Sequence, residues 1–277
     1  MNSKAKPISF DRVADAYDET RIVSDLIIEK AFMVIDDKVD LSKNRIILEA
    51  GIGTGRTCKP WSNYDVEISG IDISLKMLRK CQERIREISV RKFELIQADI
   101  ICLPFKSSTF DITILMHVFD LIKRRKEAIK EIKRIMKTGG FLIIMQYINP
   151  LYGSIITKKY RELHRKRSSK NILKSVCNRI IPFPIYQKIA RLIYGMRFNN
   201  VKKLAVSVQT ESIKWTQRVQ TSQILNNLEK RVYSDYWDTP DKTQSRIMKE
   251  LKKWMEKEGV GDSEGVKCNF EIIIFKF

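Results

Sequence analysis

The feature that most constrains this chain is a short apolar segment that ends on closely spaced glycines. Residues 45–50 (RIILEA) have the composition of a buried parallel strand, and Gly51, Gly53 and Gly55 follow at alternate positions. Glycine tolerates backbone angles that other residues resist and lets a ligand approach the main chain closely. A helix that starts beyond such a turn offers free N–H groups to negative charge. The segment therefore predicts a strand, a tight turn and a helix that together hold a ligand.

Strand-like and helix-like segments alternate through the first 150 residues. Strands are predicted over 45–50, 66–71, 92–97, 110–116 and 141–147, and helices over 8–20, 23–35, 75–88 and 123–136, the last stopped by the glycine pair 139–140. Further along, an alternating stretch begins near 204, a helix is predicted over 221–233, and a second helix opens at 238–241, with Pro240 at its first position, and runs to about 257. A final strand is predicted over 269–277. This order predicts a doubly wound α/β fold, in which ligands bind beyond the carboxyl ends of the strands.

Two acidic residues follow predicted strands at the edge where a ligand is expected. Asp72 ends the second strand, where a carboxylate can accept both hydroxyls of a ribose; its alternative role is to cap the next helix. Asp99 follows the third strand and can accept from an adenine amine, or it caps a loop. His117 ends the fourth strand and is the best-placed general base, although a histidine packed at the rim is an equal alternative.

The excess of basic residues is concentrated in one stretch of the chain. The net charge is +19, and residues 151–203 contain fourteen Lys and Arg but a single acid, Glu162. A basic amphipathic segment indicates contact with an anionic membrane surface. Nucleic-acid phosphates would attract the same residues, and a merely solvated cap is the third interpretation. The sequence leaves these three alternatives open.

Cysteine and histidine usage argues against a metal site. The five cysteines are widely spread without a CxxC pair, and there are only two histidines, which predicts free thiols in a reducing compartment and no bound metal. No apolar run reaches the ~18 residues of a membrane-spanning helix. The first residues also lack the apolar stretch of a secretory signal. A cytoplasmic location is therefore expected.

The ordered segments LEAGIGTGR, GIDIS, QADI, LPF, FDITILMHVFDLI and RIMKTGGFLII resemble those of class I S-adenosylmethionine-dependent methyltransferases. The resemblance is to the small-molecule group that includes quinone-methylating enzymes, and it covers nearly the whole chain. It implies cofactor-binding roles for Tyr17, Arg21, Glu49, Gly51, Gly53, Gly55, Asp72, Ile73, Asp99, Ile100 and Met116, with His117 beside the sulfonium. Among these, Glu49 and the glycines would hold the amino-acid end, whereas Tyr17 and Arg21 would close the site.

The resemblance implies a Rossmann-like, seven-stranded, mostly parallel sheet with an antiparallel last strand and an inserted helical cap. Residues 1–150 would form the cofactor-binding core, 151–203 the basic cap, and 204–277 the part that completes the sheet. The expected activity is methyl transfer from S-adenosylmethionine to a small or lipophilic acceptor, in the cytoplasm and peripherally at the inner membrane surface. The alternatives are an RNA methyltransferase whose cap holds phosphates and a non-catalytic cofactor-binding module. The GxGxG spacing and Asp99 argue against a nicotinamide-dependent oxidoreductase.

Overall fold

A computed structural model describes residues 9–11, 14–18, 23–88, 92–148, 154–167, 198–232 and 236–277. The strands are β1 (Ile46–Ala50), β2 (Glu67–Asp72), β3 (Lys92–Gln97), β4 (Phe110–Met116), β5 (Met136–Ile148), β6 (Ser207–Gln220) and β7 (Ser263–Lys276). The α-helices are α1 (Asp25–Val39), α2 (Cys58–Trp61), α3 (Leu75–Arg86), α4 (Arg125–Ile135), α5 (Ile155–Arg167), α6 (Asn199–Lys202), α7 (Thr221–Glu229) and α8 (Asp241–Glu258). Short 3₁₀ turns cover Ala14–Ala16 and Phe119–Leu121.

The seven strands form one sheet in the order β3-β2-β1-β4-β5-β7-β6. The first five run parallel, and Ile47 in β1 pairs with Ile68 on one side and with Ile112 on the other. The chain therefore winds outward from β1 to β3 and then crosses back to β4. This reversal brings the carboxyl ends of β1 and β4 side by side, which is where doubly wound folds bind ligands.

The last strand reverses the direction of the sheet. The N–H of Gly139 in β5 donates to the carbonyl of Phe277 just beyond β7, and the side-chain amide of Gln146 donates to Glu271, so residue numbers rise in opposite directions. The predicted seven-stranded, mostly parallel α/β sheet with an antiparallel last strand is confirmed.

The apolar content of β1 follows from its position at the centre of the sheet. Ile47 and Leu48 point to opposite faces and are both fully buried. Helices cover both faces; α3, for example, buries Met77 and Leu78 and leaves its charged residues outside. A strand enclosed on both faces cannot alternate polar and apolar residues, which explains the continuous apolar run in the sequence.

The predicted helix stop at Gly139–Gly140 is wrong. Helix α4 ends at Ile135, and both glycines lie inside β5. Gly139 has a φ of 81°, and a Cβ on Gly140 would lie 2.8 Å from the carbonyl oxygen of Asp111. These glycines therefore allow β5 to approach the start of β4, where the register shifts between Phe110 and Ile112.

The chain divides into two compact units. The first contains the residues up to Tyr147 together with Phe198–Ile213 and Phe270–Phe277. In the second, α5 and α8 pack together, and the hydroxyl of Tyr160 donates to Gln244 at 2.5 Å. The boundaries predicted at residues 150 and 203 stay a prediction, because 149–153 and 168–197 lie outside the described residues.

Candidate active site

The turn after β1 holds its three glycines in left-handed backbone conformations. Gly51, Gly53 and Gly55 have φ angles of 79°, 59° and 75°, which residues with a Cβ rarely adopt. The N–H groups of Gly51 and Ile52 both donate to the carbonyl of Ile71, at 2.7 and 2.9 Å. These bonds tie the turn to the end of β2.

The surroundings of the three glycines differ. A Cβ on Gly51 would lie 2.2 Å from Cγ2 of Val118, and a Cβ on Gly55 would lie 2.6 Å from Sγ of Cys81. By contrast, apart from Gly53 and its two chain neighbours, the described residues place no atom within 4 Å of the Cβ position at Gly53. Packing thus closes the turn at both ends and leaves its middle open, where a ligand can reach the backbone.

Asp72 ends β2 and binds the open part of the glycine turn. Its Oδ2 accepts the N–H of Gly53 at 3.0 Å, and its Oδ1 accepts the N–H of Ser74 at 2.8 Å. Burial raises the pKa of Asp72; the backbone N–H groups of Ser74, Gly53 and Ile73 oppose this rise, and the negative charge of Asp11 adds to it. The structure therefore brings together two of the predicted cofactor-binding residues, Gly53 and Asp72.

The helix-cap role considered for Asp72 belongs to Ser74. The Oγ of Ser74 accepts the N–H of Met77 at 3.1 Å, which is the N-cap bond at the start of α3. The same hydroxyl donates to Oδ1 of Asp11 at 2.5 Å. Asp72 holds the loop that leads to the cap instead of capping the helix itself.

Glu49 is a carboxylate inside the core, with 1% of its surface exposed. The hydroxyl of Thr57 donates to Oε1 and Oε2 at 2.6 and 2.7 Å, and the indole N–H of Trp61 donates to Oε2 at 3.2 Å. Burial raises the pKa of Glu49 to about 7, although both hydrogen bonds favour the charged form. A cationic ammonium group nearby would stabilise this carboxylate, so its role toward the amino-acid end of the cofactor stays a prediction with a chemical basis.

The predicted adenine-binding residues lie where β2 and β3 end. The carboxylate of Asp99 accepts the N–H of Ile101 at 3.1 Å, and the amide of Gln97 donates to the carbonyl of Ile73 at 3.0 Å. Ile73 and Ile100 are half-buried, so part of each side chain remains available to flank a ring. Asp99 therefore orders its own loop, as its alternative role predicted, and its contact with an adenine stays a prediction.

His117 follows Met116 at the end of β4 in a left-handed conformation, with a φ of 59°. Its backbone N–H donates to the carbonyl of Met145 at 2.9 Å, and its ring Nδ1 accepts the backbone N–H of Tyr147 at 3.4 Å. The imidazole lies edge-on to the rings of Tyr147 and Phe270, with centroids 6.2 and 6.1 Å apart. The ends of β4 and β5 thus form an aromatic rim beside Met116, which is half-buried.

The N-terminal segment, defined as residues 9–11 and 14–18, also reaches the glycine turn. The carboxylate of Asp18 accepts the hydroxyl of Thr54 at 2.7 Å. The adjacent Tyr17 is half-buried and lies edge-on to Phe10, with centroids 5.8 Å apart. Arg21 lies outside the described residues, so its role in closing the site stays a prediction.

Three residues near the turn were not identified from the sequence, namely Asp18, Thr54 and Ser74. Thr54 and Ser74 are small polar residues within loops, a type too common to indicate a site. Asp18 had one available signal, because Asp11, Asp15 and Asp18 recur at intervals of four and three residues. Such spacing predicts three acids along one side of a segment, and their partners become evident only in the tertiary structure.

A family profile described as a methyltransferase domain matches residues 48–144. The matched range contains the glycine turn, Asp72, Asp99 and Met116, and it ends within β5. This region is a class I S-adenosylmethionine-dependent methyltransferase domain. This confirms three predictions from the sequence: the resemblance to class I methyltransferases, the enzyme class and S-adenosylmethionine as the cofactor.

Relatives of the methyltransferase domain act on chemically different acceptors. A demethylmenaquinone methyltransferase of Renibacterium salmoninarum is 27% identical over 169 residues, which cover 58% of this chain and 69% of the relative. A phosphatidylethanolamine N-methyltransferase of Cereibacter sphaeroides is 30% identical over 102 residues, which cover 36% of this chain and 50% of the relative. The YcgJ protein of Bacillus subtilis shares the fold, with a TM-score of 0.52, 17% identity, and coverage of 90% of this chain and 99% of that chain.

The residues that the structure describes can also be checked for a metal-binding group and for a membrane-spanning helix. Within them, no group of three or more His, Cys, Asp or Glu side chains is placed to hold a metal ion. None of the described helices is both long and apolar enough to cross a bilayer. The predictions of a metal-free site and of a cytoplasmic location stay predictions.

Proposed function

We propose that this methyltransferase acts on a small lipophilic acceptor that lies against the aromatic rim at the ends of β4 and β5. The supporting observation is the arrangement of His117, Tyr147 and Phe270. Phe270 is fully buried and backs the imidazole, whereas His117 and Tyr147 keep part of their surface exposed. Aromatic rings in this arrangement favour a flat, largely apolar acceptor.

The proposal assigns the cofactor to the glycine turn and to the loops that follow β2 and β3. The open backbone at Gly53 would admit the amino-acid end, and Asp72 would accept the ribose hydroxyls. Ile73 and Ile100 would flank the adenine, and Asp99 would accept from its amine. The half-buried carboxylate of Asp72 supports this assignment, because a hydroxyl donor lowers the cost of keeping it charged.

The chemistry requires positioning more than proton transfer. When bound, the cofactor supplies a methyl group on a cationic sulfur that departs as a neutral thioether. The chain must hold the acceptor atom in line with that methyl group, and such orientation can contribute roughly 7–11 kcal/mol to lowering the barrier. A general base is needed only for an acceptor that is still protonated.

His117 is suited to orienting such an acceptor. Because its Nδ1 accepts the N–H of Tyr147, the neutral ring carries its proton on Nε2. In that tautomer, Nε2 is a hydrogen-bond donor and cannot take a proton. The general-base role predicted from the sequence requires this bond to break, and a pH profile of the transfer rate distinguishes the two roles.

We further propose that the acceptor is a membrane lipid or a lipid-soluble quinone. The names of the two relatives support this, since demethylmenaquinone and phosphatidylethanolamine both reside in membranes. Helix α5 supports it as well, because four of its six basic residues are exposed, namely Lys158, Arg165, Lys166 and Arg167, and Ile155 is exposed at 48%. Basic residues near an anionic surface contribute about 1 kcal/mol each to membrane binding.

The acceptor class is tested with methyl-labelled cofactor and anionic vesicles that contain either a demethylated quinol or phosphatidylethanolamine. Reaction mixtures are extracted into lipid, RNA and protein fractions, with bulk RNA added to a parallel sample. We expect label in the lipid fraction, and with Asp72→Asn at the same enzyme concentration and a limiting cofactor concentration we expect at least about tenfold less label. Vesicles of neutral lipid serve as the control for the charge of the surface.

The alternatives predict different distributions of the label. Label in the RNA fraction alone would replace this proposal with the RNA methyltransferase. Binding of S-adenosylhomocysteine without label in any fraction would favour the non-catalytic module. Transfer that is equally fast in neutral vesicles would contradict the proposed contact with an anionic membrane surface. It would not contradict the proposal of a lipophilic acceptor.

A further inference from the structure

Acidic residues of the N-terminal segment pair with basic residues of helix α3. Asp15 lies 3.3 Å from Nζ of Lys80, and Asp18 lies 2.7 Å from Nη2 of Arg84. Lys76, Lys80 and Arg84 are spaced by four residues and so lie along one side of α3. The charge and backbone of Lys76 also lower the pKa of Asp11, after the larger effect of its hydrogen bonds with Ser74 and Ser9.

Asp18 links the glycine turn to α3 through its two carboxylate oxygens. Its Oδ1 accepts the hydroxyl of Thr54, and its Oδ2 accepts Nη2 of Arg84, both at 2.7 Å. Thr54 lies between Gly53 and Gly55 and is 2% exposed. Its hydroxyl therefore has the Asp18 carboxylate as its hydrogen-bond partner instead of water. One side chain thereby fixes the turn relative to the helix.

Asp11 makes the equivalent link at the second cofactor loop. It accepts the hydroxyl of Ser74, whose own N–H donates to Asp72. Ser74 therefore connects Asp11 to Asp72, whose carboxylate is assigned to the ribose. The two loops that would bind the cofactor are therefore both attached to the N-terminal segment by an acid.

We propose that Asp18 is a positioning residue for the cofactor and that, with Asp11, it forms a carboxylate latch that orders the turn at Thr54 and the loop at Ser74 before the cofactor binds. Neither acid needs to touch the cofactor, because each acts through a hydroxyl on a loop. A preordered site binds more tightly, since less conformational freedom is lost on binding. The inference rests on the proposed cofactor contacts of Gly53 and Asp72.

The test measures binding of S-adenosylhomocysteine to the full chain by titration calorimetry. Asp18→Asn retains the size of the side chain but loses its charge, and we expect binding to weaken about five- to tenfold, as for loss of a partly exposed charged hydrogen bond. Asp15→Asn is the matched control, because the Asp15 side chain is 92% exposed in its pair with Lys80. We expect its affinity to change by less than about twofold.

A second measurement reports on the loops without a ligand. Hydrogen exchange of peptides covering residues 51–57 should accelerate in ligand-free Asp18→Asn and in Thr54→Val, and remain unchanged in Asp15→Asn. If Asp18→Asn and Asp15→Asn weaken binding equally, the effect is one of overall charge and the latch is wrong. Normal binding by Asp18→Asn would also overturn it. Failure of the unmodified chain to bind would instead overturn the cofactor contacts in the proposed function.

Discussion

The Sγ atoms of Cys58 and Cys81 lie 3.8 Å apart and meet at the end of the glycine turn. The nearest part of the turn is Gly55, where a Cβ would lie 2.7 Å from one sulfur and 2.6 Å from the other. Both thiols are fully buried, so neither can move aside into solvent. The cofactor turn and the hydrophobic core therefore meet at a position where only glycine fits.

Gly55→Ala should destabilise the protein substantially. The new methyl group would overlap two buried sulfur atoms, and the φ of 75° would add backbone strain, for a combined loss of about 2–4 kcal/mol of unfolding free energy. Urea unfolding followed by circular dichroism measures this loss. Gly53→Ala is the matched control, since it adds similar backbone strain in open space, and a loss as large as that of Gly55→Ala would refute the packing argument.

The buried cysteine thiols should react more slowly than the exposed one. The hydrogen bond with Cys81 raises the pKa of Cys58, and burial raises it further, so the reactive thiolate is scarce. Cys102 is exposed. Brief treatment with a maleimide should label Cys102 before Cys58 and Cys81, which should react only after denaturation. Peptide mass spectrometry identifies the labelled residues. Rapid labelling of Cys58 in the folded protein would contradict the buried pair.

Glu49 should make stability fall as pH rises. Its pKa is about 7 in the folded protein and near 4.5 when unfolded, so the folded state binds a proton more tightly between these values. The free energy of unfolding therefore decreases from about pH 4.5 to pH 7, by at most about 3 kcal/mol. Glu49→Gln remains neutral and should remove this decrease in urea titrations. The exposed residue Glu94 supplies the control, because Glu94→Gln should preserve the slope.

Asp72→Asn should weaken cofactor binding without unfolding the domain. The amide keeps one acceptor oxygen for the N–H of Gly53 or Ser74 but loses the charge that a ribose would contact. We expect affinity for S-adenosylhomocysteine to fall at least about tenfold, measured by calorimetry. Asp65→Asn alters an exposed carboxylate paired with Arg45 and should bind normally. An undiminished affinity of Asp72→Asn would exclude the assigned ribose contact.

Short-range patterns determined much of this protein. The apolar run before Gly51 predicted β1, and the start of α3 at Leu75 matched its predicted position. The glycine turn and Asp72 were assigned to one site, and they share a hydrogen bond in the structure. Such features are readable because strand burial, turn conformation and helix spacing are imposed by neighbouring residues along the chain.

Only the tertiary structure decided which partners these residues have. Gly139–Gly140 looked like a helix stop, yet both glycines lie inside β5, where Gly140 packs closely against the carbonyl of Asp111. Asp18 and Thr54 are separated by 36 positions and form the contact on which the latch depends. The burial of Glu49, and hence its raised pKa, depends on packing around its side chain. Residues far apart in the chain supply these surroundings, and no local pattern encodes them.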